Sequence, residues 1–405
     1  MKNNPILIVI IFTILAVVSC NAPKKNASQI QKEIQERLIN AKPGDTISFD
    51  EGFYEFKSSL SLDGIENITI KGKGAGKTIL SFKGQTEGAE GFMVKANGIT
   101  FEDLTVQDTK GDGIKVQNSK GVTFRRVNVR WTEGAKASNG GYGLYPVTCK
   151  NVLVEECEIS EASDAGIYIG QSENIVVRKC KAHDNVAGIE IENCKTADVY
   201  ENLATNNTGG ILVFDMPEIP VKNGQDVRVY NNEIKDNNHP NFAPEGNMVG
   251  RVPAGTGVLV LAYNFVEVFN NRISNHRSFN ASIACFLTTG KEYKDSLYNP
   301  YSYGISIHDN DFSRQPMLPD TTRILGKILA QLFGLNPPDI VWDGMLDPAV
   351  IGKDGVVAPE NRICIKNNKN AKFVNLSAQT AFKDMTFDEK LFDCERKPLP
   401  GAKLQ

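Results

Sequence analysis

Histidine and tryptophan are scarce in this chain, four and two among 405 residues. The histidines are spread out and no C-x-x-C spacing occurs, so the clustered donors of a zinc site are missing and neither metal nor cofactor is expected. One-signed charge is missing too. The 45 lysines and arginines face 48 acidic residues, for a formal net charge of −3, so a basic face for nucleic acid is not expected. No apolar run reaches the roughly 20 residues of a membrane-spanning helix. Aromatics make up 8 % while glycine reaches 35 residues, a balance that suits many short strands and turns rather than a helical bundle.

The longest apolar run sits at the N-terminus. Lys2 precedes Pro5 to Val18, apolar apart from Thr13, followed by small Ser19 and Cys20. A run of that length reads as a signal peptide. Val17-Val18-Ser19-Cys20 resembles a bacterial lipobox. That resemblance implies cleavage before Cys20, lipidation of Cys20, and an exported lipoprotein held at the cell envelope, at the outer membrane or cell surface. Residues 1–19 are thus expected to be a leader and 20–27 a polar tether. The remaining cysteines (Cys149, Cys157, Cys180, Cys194, Cys285, Cys364 and Cys394) are an odd, scattered set that does not read as a disulfide framework.

What the chain has is a repeat. A glycine, an aliphatic, a variable and an aliphatic residue recur at Gly113-Ile-Lys-Val116, Gly143-Leu-Tyr-Pro146, Gly166-Ile-Tyr-Ile169, Gly188-Ile-Glu-Ile191, Gly210-Ile-Leu-Val213 and Gly257-Val-Leu-Val260. Steps from Gly143 to Gly210 are 23, 22 and 22 residues. A second alternating phrase follows each first one, as in Asn151-Val-Leu-Val154 and Asn174-Ile-Val-Val177. Period-two alternation is the strand signal, and two or three strands per 22 residues is one coil of a solenoid that must stack to bury its inner face. The fold class expected is all-β, a right-handed parallel β-helix over residues 28–315, with 316–405 as C-terminal decoration and a last coil.

Several details follow from that register. Cys157, Cys180, Asn202, Asn232, Asn271 and Asn310 should stack as a turn ladder, with a Cys157–Cys180 bridge conceivable and Cys364–Cys394 open. The pairs Asp184-Asn185, Asn206-Asn207 and Asp236-Asn237 read as turns rather than a calcium site. Ser28 and Gln31 form a capping-box pair on a helix whose Ile30, Ile34 and Leu38 plug one end. Thr321 to Phe333 reads as an amphipathic helix packed on the solenoid, and Ile363 to Asn368 as a last strand. The 47-residue step from Gly210 to Gly257 reads as about two coils plus extra residues, with loops at Pro217–Gly224 and His239–Gly255 able to wall a groove.

Chemistry is expected on the outward columns. One runs Lys115, Tyr145, Tyr168, Glu190, Leu212, Leu259; its neighbour runs Gln117, Val147, Gly170, Glu192, Phe214, Leu261. Asp112, Tyr142 and Asp164 lie in the preceding turns, and Asp215 just past a strand. Tyrosines can stack on sugars, and carboxylates or tyrosines can serve as acids and bases. The expected site therefore has Tyr142, Tyr168, Glu190 and Glu192 as catalytic residues, with Lys115, Asp164 and Asp215 binding substrate. An exposed strand face carrying ordinary polar residues has the same appearance.

Tyr142-Gly-Leu-Tyr-Pro-Val147 resembles the Y-G-x-D-P-H signature of mannuronan C5-epimerases. Tyr142 matches their catalytic tyrosine; Tyr145 and Val147 stand at their aspartate and histidine positions. The runs Ser163 to Ser172, Val186 to Asn193, Asn206 to Asp215 and Asn241-Phe-Ala-Pro244 resemble a family of secreted parallel β-helix repeat lipoproteins within the pectin-lyase-like superfamily. These resemblances imply the fold, export and an envelope glycan as partner. The function expected is binding or processing of an acidic polysaccharide. The alternative is a non-catalytic binding or scaffold lipoprotein with a protein partner.

Overall fold

The computed structural model describes residues 27–404; the expected leader, Cys20 and the tether up to residue 26 lie outside the described residues. Strands of the repeat stack in parallel into sheets of nineteen and eleven strands. One coil shows how the sequence makes a turn. Lys150–Glu155 and Glu158–Ser160 belong to the larger sheet, and Ala165–Gly170 crosses to the smaller one. Val152, Val154, Ile159, Ile167 and Ile169 all point inward and are fully buried in one continuous core. The coils meet in the expected register: Tyr168 pairs with Glu190, Glu190 with Leu212, and Leu212 with Leu259.

The recurring glycine has a steric cause. A Cβ on Gly143 would lie 2.5 Å from the Gly166 carbonyl oxygen, and one on Gly188 or Gly210 would lie 2.6 Å from the carbonyl of the next coil's glycine. The coils approach too closely there for any side chain.

The turn ladder is also as expected. Asn202, Asn232 and Asn271 each accept, through Oδ1, a bond from the backbone N–H of the preceding rung, at 2.9–3.0 Å. Asn310 does the same for Asn271. A second ladder runs through Asn185, Asn207 and Asn237 to His276, so that corner's asparagines are structural. Each asparagine there satisfies a backbone group that would otherwise be costly.

Several expectations are corrected. Gly209–Phe214 pairs directly with Thr256–Leu261, so the 47-residue step is one coil bearing two loops, not two coils. Cys364–Cys394 is bonded, with Cα atoms 5.1 Å apart, whereas Cys157 and Cys180 are free and buried. The last strand is Phe373–Asn375, one beyond Cys364–Lys366. Helix α1 (Ala27–Ile39) buries Ile34 and Leu38 over the core, but Gln31 accepts from the Lys57 and Ser58 amides rather than closing a capping box.

Helix α2 (Ile324–Phe333) lies on the smaller sheet, with Leu329 buried against Phe279, Val341 and Val374. Beyond the disulfide the tail runs back over the larger sheet, where Ala402 donates to Asp198 and Lys403 to Asn174. Among the described residues no helix is long and apolar enough to cross a membrane.

Candidate active site

The strands Tyr142–Val147, Ala165–Gly170 and Ala187–Glu192 lie side by side in the smaller sheet. Because their aliphatic positions face the core, their variable positions share the outer face. Three tyrosines meet there. Ring centroids are 4.3 Å apart for Tyr142 and Tyr168, 4.6 Å for Tyr142 and Tyr145, and 5.0 Å for Tyr145 and Tyr168. Lys115, one coil earlier, holds its Nζ 4.7 Å from the Tyr145 ring centroid.

Gly170 explains the pose of Tyr168. A Cβ at Gly170 would lie 2.3 Å from the Tyr168 hydroxyl, so the ring folds into the space the missing side chain leaves. Gly170 pairs with Glu192, which places that carboxyl beside the folded Tyr168 ring.

The face is not the open groove expected from the columns. Residues 239–255 fold over it. Phe242, Ala243, Val249 and Val252 pack on Tyr168, Leu212 and Leu259, and Asn247 donates to Asp164 at 2.9 Å. The loop is held in shape by Asn241, whose amide bonds the Val249 and Val252 carbonyls at 2.9 Å. Under this roof Tyr168 is 4 % exposed, Asp164 8 % and Glu190 1 %, while Tyr142, Tyr145 and Glu192 keep partial exposure. The alternation of residues placed these side chains outward correctly, but outward here does not mean solvated.

Burial sets the protonation. It pushes the Asp112 carboxyl up to about 6 and the Glu192 carboxyl up to about 7. Burial, with Glu192 nearby, also raises Asp164 to about 7. Glu190 goes well above the ordinary carboxylate range, through burial and then Asp164 and Glu192, and its Oε1 has no hydrogen-bond partner. Tyr142 and Tyr168 are raised well above their ordinary value, again by burial first. Beneath the roof these hydroxyls therefore stay protonated. The groups poised to exchange a proton near neutrality are Asp164 and Glu192.

Asp215 stands apart. Its carboxylate accepts from the Gly224 amide at 2.8 Å and it has no exposed surface. It closes the Pro217–Gly224 excursion, while its Oδ1 is buried without a hydrogen-bond partner. Asn247 and Asp112 complete the site. Asp112 was visible in the turn before Lys115, but nothing in the repeat marks Asn247. Among the described residues no group of three or more His, Cys, Asp or Glu side chains is arranged to hold a metal ion.

None of the curated proteins matches this chain. Among solved structures, the A-module of the Azotobacter vinelandii mannuronan C-5 epimerase AlgE4 is similar, with TM-score 0.50 and 17 % identity over 85 % of this chain and 90 % of that one. The AlgE6 A-module of the same organism has TM-score 0.48 and 15 % identity over 85 % and 91 %. The alginate lyase from Paenibacillus sp. str. FPU-7 has 0.47 and 15 % over 71 % and 96 %. At such identities the likeness is one of fold. The sequence profile of the right handed beta helix region matches residues 90–223 and 137–313, together more than half of the chain. The stacked parallel coils and this match agree: the chain belongs to the right-handed β-helix family, with the pectin-lyase-like fold.

Proposed function

We propose that this chain binds a polysaccharide on the face beneath residues 239–255 and modifies it by acid–base chemistry, with an acidic glycan as the substrate class. The observation that carries this reading is the set of carboxyls, buried Asp164 and Glu190 and half-buried Glu192, beside Tyr142 and Tyr168 without an ion-pair partner among the described residues. Unpaired buried carboxyls cost stability, and such groups concentrate where chemistry needs them. Neutral carboxyls and tyrosine hydroxyls can donate to a uronate, and Lys115 can balance its charge. Asp164 and Glu192 exchange the proton, Tyr142 and Tyr168 hold theirs, and Glu190 stays a neutral acid. The 239–255 roof must lift for a polymer to enter. Export through the N-terminal leader, with lipidation at Cys20, would place this activity at the cell envelope.

The roof supports a second reading, a binding or scaffold lipoprotein without catalysis, because it seals Tyr168 and Glu190 in the observed state. One screen separates the two. The form lacking residues 1–20 is incubated with uronate-containing and neutral polysaccharides, and products are followed by reducing ends, ultraviolet absorbance and NMR. Product formation that falls at least 100-fold in Glu192→Gln and Tyr168→Phe supports the enzyme. Saturable binding without product supports the binder. Silence toward every glycan sinks the carbohydrate reading and favours a protein partner.

A further inference from the structure

Beyond the roofed site, the smaller sheet meets α2 across a slot. A cavity of about 290 Å³ lies there, walled by Leu259, Leu261 and Phe279 from the sheet, Val252 and Pro253 from the loop, and Leu325 from the helix. A second cavity of about 100 Å³ continues it beneath α2, sharing Ala284, Thr288, Ile324 and Leu325 as walls. The space is therefore elongated and apolar rather than round.

Its mouth is cationic. Arg251 and Arg323 both line it. Arg251 donates to the Thr289 carbonyl at 2.7 Å, and Arg323 reaches only Thr322, at 3.4–3.5 Å, with its Nε buried and unpartnered. Neither guanidinium has an ion-pair partner among the described residues, unlike Arg125, Arg126, Arg178 and Arg228 on the larger sheet. The adjacent acid is Asp320, whose carboxylate is already occupied by the Ala254 amide and by the amide and hydroxyl of Thr322. At the inner end Asp343 is engaged by the Cys285 and Met345 amides.

We propose that this slot binds an aliphatic carboxylate, its chain between α2 and the sheet and its head group on Arg251 and Arg323. An apolar cavity near 150 Å³ accommodates benzene, so about 290 Å³ takes roughly a dozen heavy atoms, the size of decanoate. The apolar walls supply affinity, at about fourfold per buried methylene. The guanidiniums, paired with no carboxylate of this chain, supply the preference for an anion. The slot contains none of the tyrosines or carboxyls of the glycan site, but it shares Leu259 and the 248–253 part of the roof with it.

Calorimetric titration of the form lacking residues 1–20 tests it, because the core lies wholly within the described residues. The probes are decanoate, octanoate and 1-octanol, each below its aggregation limit. The expected result is saturable one-to-one binding of decanoate, with octanoate about 15-fold weaker and 1-octanol weaker again. The double variant Arg251→Ala/Arg323→Ala should lose at least tenfold in decanoate affinity with an unchanged circular dichroism spectrum. Leu261→Trp, which fills the slot, should abolish binding; should it misfold, the arginine variant and the chain-length series decide alone. Absence of saturable decanoate binding, equal affinity for octanoate and 1-octanol, or full affinity in the arginine double variant would each overturn the proposal.

Discussion

On the larger sheet Glu155 sits between Arg125, at 3.1 Å, and Arg178, at 2.5 Å, and Asp198 takes two 2.7 Å bonds from Arg228. On the smaller sheet Glu190 and Glu192 stand on outward columns and Asp164 in the turn before a strand, with no arginine or lysine bonded to them among the described residues. The consequences are opposite. Burial pushes Glu155 up, but Arg125 and Arg178 outweigh it and hold the carboxyl below its ordinary value. Burial acts unopposed by cations on Asp164 and Glu192 and brings both to about 7. The stacking geometry is shared, so it is not the cause. The larger sheet uses its charges to hold coils together. The smaller sheet keeps carboxyls that weaken the fold when ionised, which is why the site is assigned there.

The comparison can be broken from either side. The largest effect is expected on the paired face. Arg228→Ala strands the buried Asp198 carboxylate and should destabilise the fold by about 3 kcal/mol, read from the denaturant midpoint; no loss would mean the pair contributes nothing. On the unpaired face the sign reverses. Glu190→Gln removes a carboxyl that resists ionisation while keeping its shape, and should stabilise by about 1–2 kcal/mol at pH 8. The gain should shrink at pH 5, where Glu190 is neutral in any case.

The wild-type protein should show the same sign. Asp112, Asp164 and Glu192 have folded pKa values raised to about 6–7. The native state therefore binds more protons than the unfolded chain between roughly pH 4 and 7. Their contribution is complete below that window and is lost as pH rises through it. Tm measured at pH 5 should exceed Tm at pH 8 by several degrees, and a flat profile would remove the argument for buried neutral acids. The smallest effect belongs to the roof. Asn247→Ala deletes one hydrogen bond to Asp164 and should cost under about 1 kcal/mol, but it should speed proteolytic cleavage near Gly246.

Much of this was legible in the residues. Gly143, Gly166, Gly188 and Gly210 fix the coil phase, and the alternation around Ile167 and Ile169 fixes which side chains face the core. The pairings Tyr168–Glu190 and Gly170–Glu192 follow at once, as does the asparagine ladder. The loop His239–Gly255 was legible as a wall, but its closure over the face was not, because Asn247 reaches Asp164 across 83 residues and no periodicity connects them. The Cys364–Cys394 bridge stayed open in the sequence for a similar reason, since Cys394 lies in irregular chain beyond the last strand. The turn of one Asp215 oxygen back to the Gly224 amide was not legible either, since Asp215 directly follows an outward-facing column.

Sequence alone determined the solenoid, its register and the column on which each tyrosine and carboxyl stands. Those depend on contacts between neighbouring coils, and a 22-residue repeat encodes them directly. The tertiary structure decided which column stays wet, which carboxyls stay neutral and where a slot opens under α2. Such properties depend on what a loop or helix from elsewhere in the chain covers. Desolvation is set by that cover, and no local pattern of residues records it.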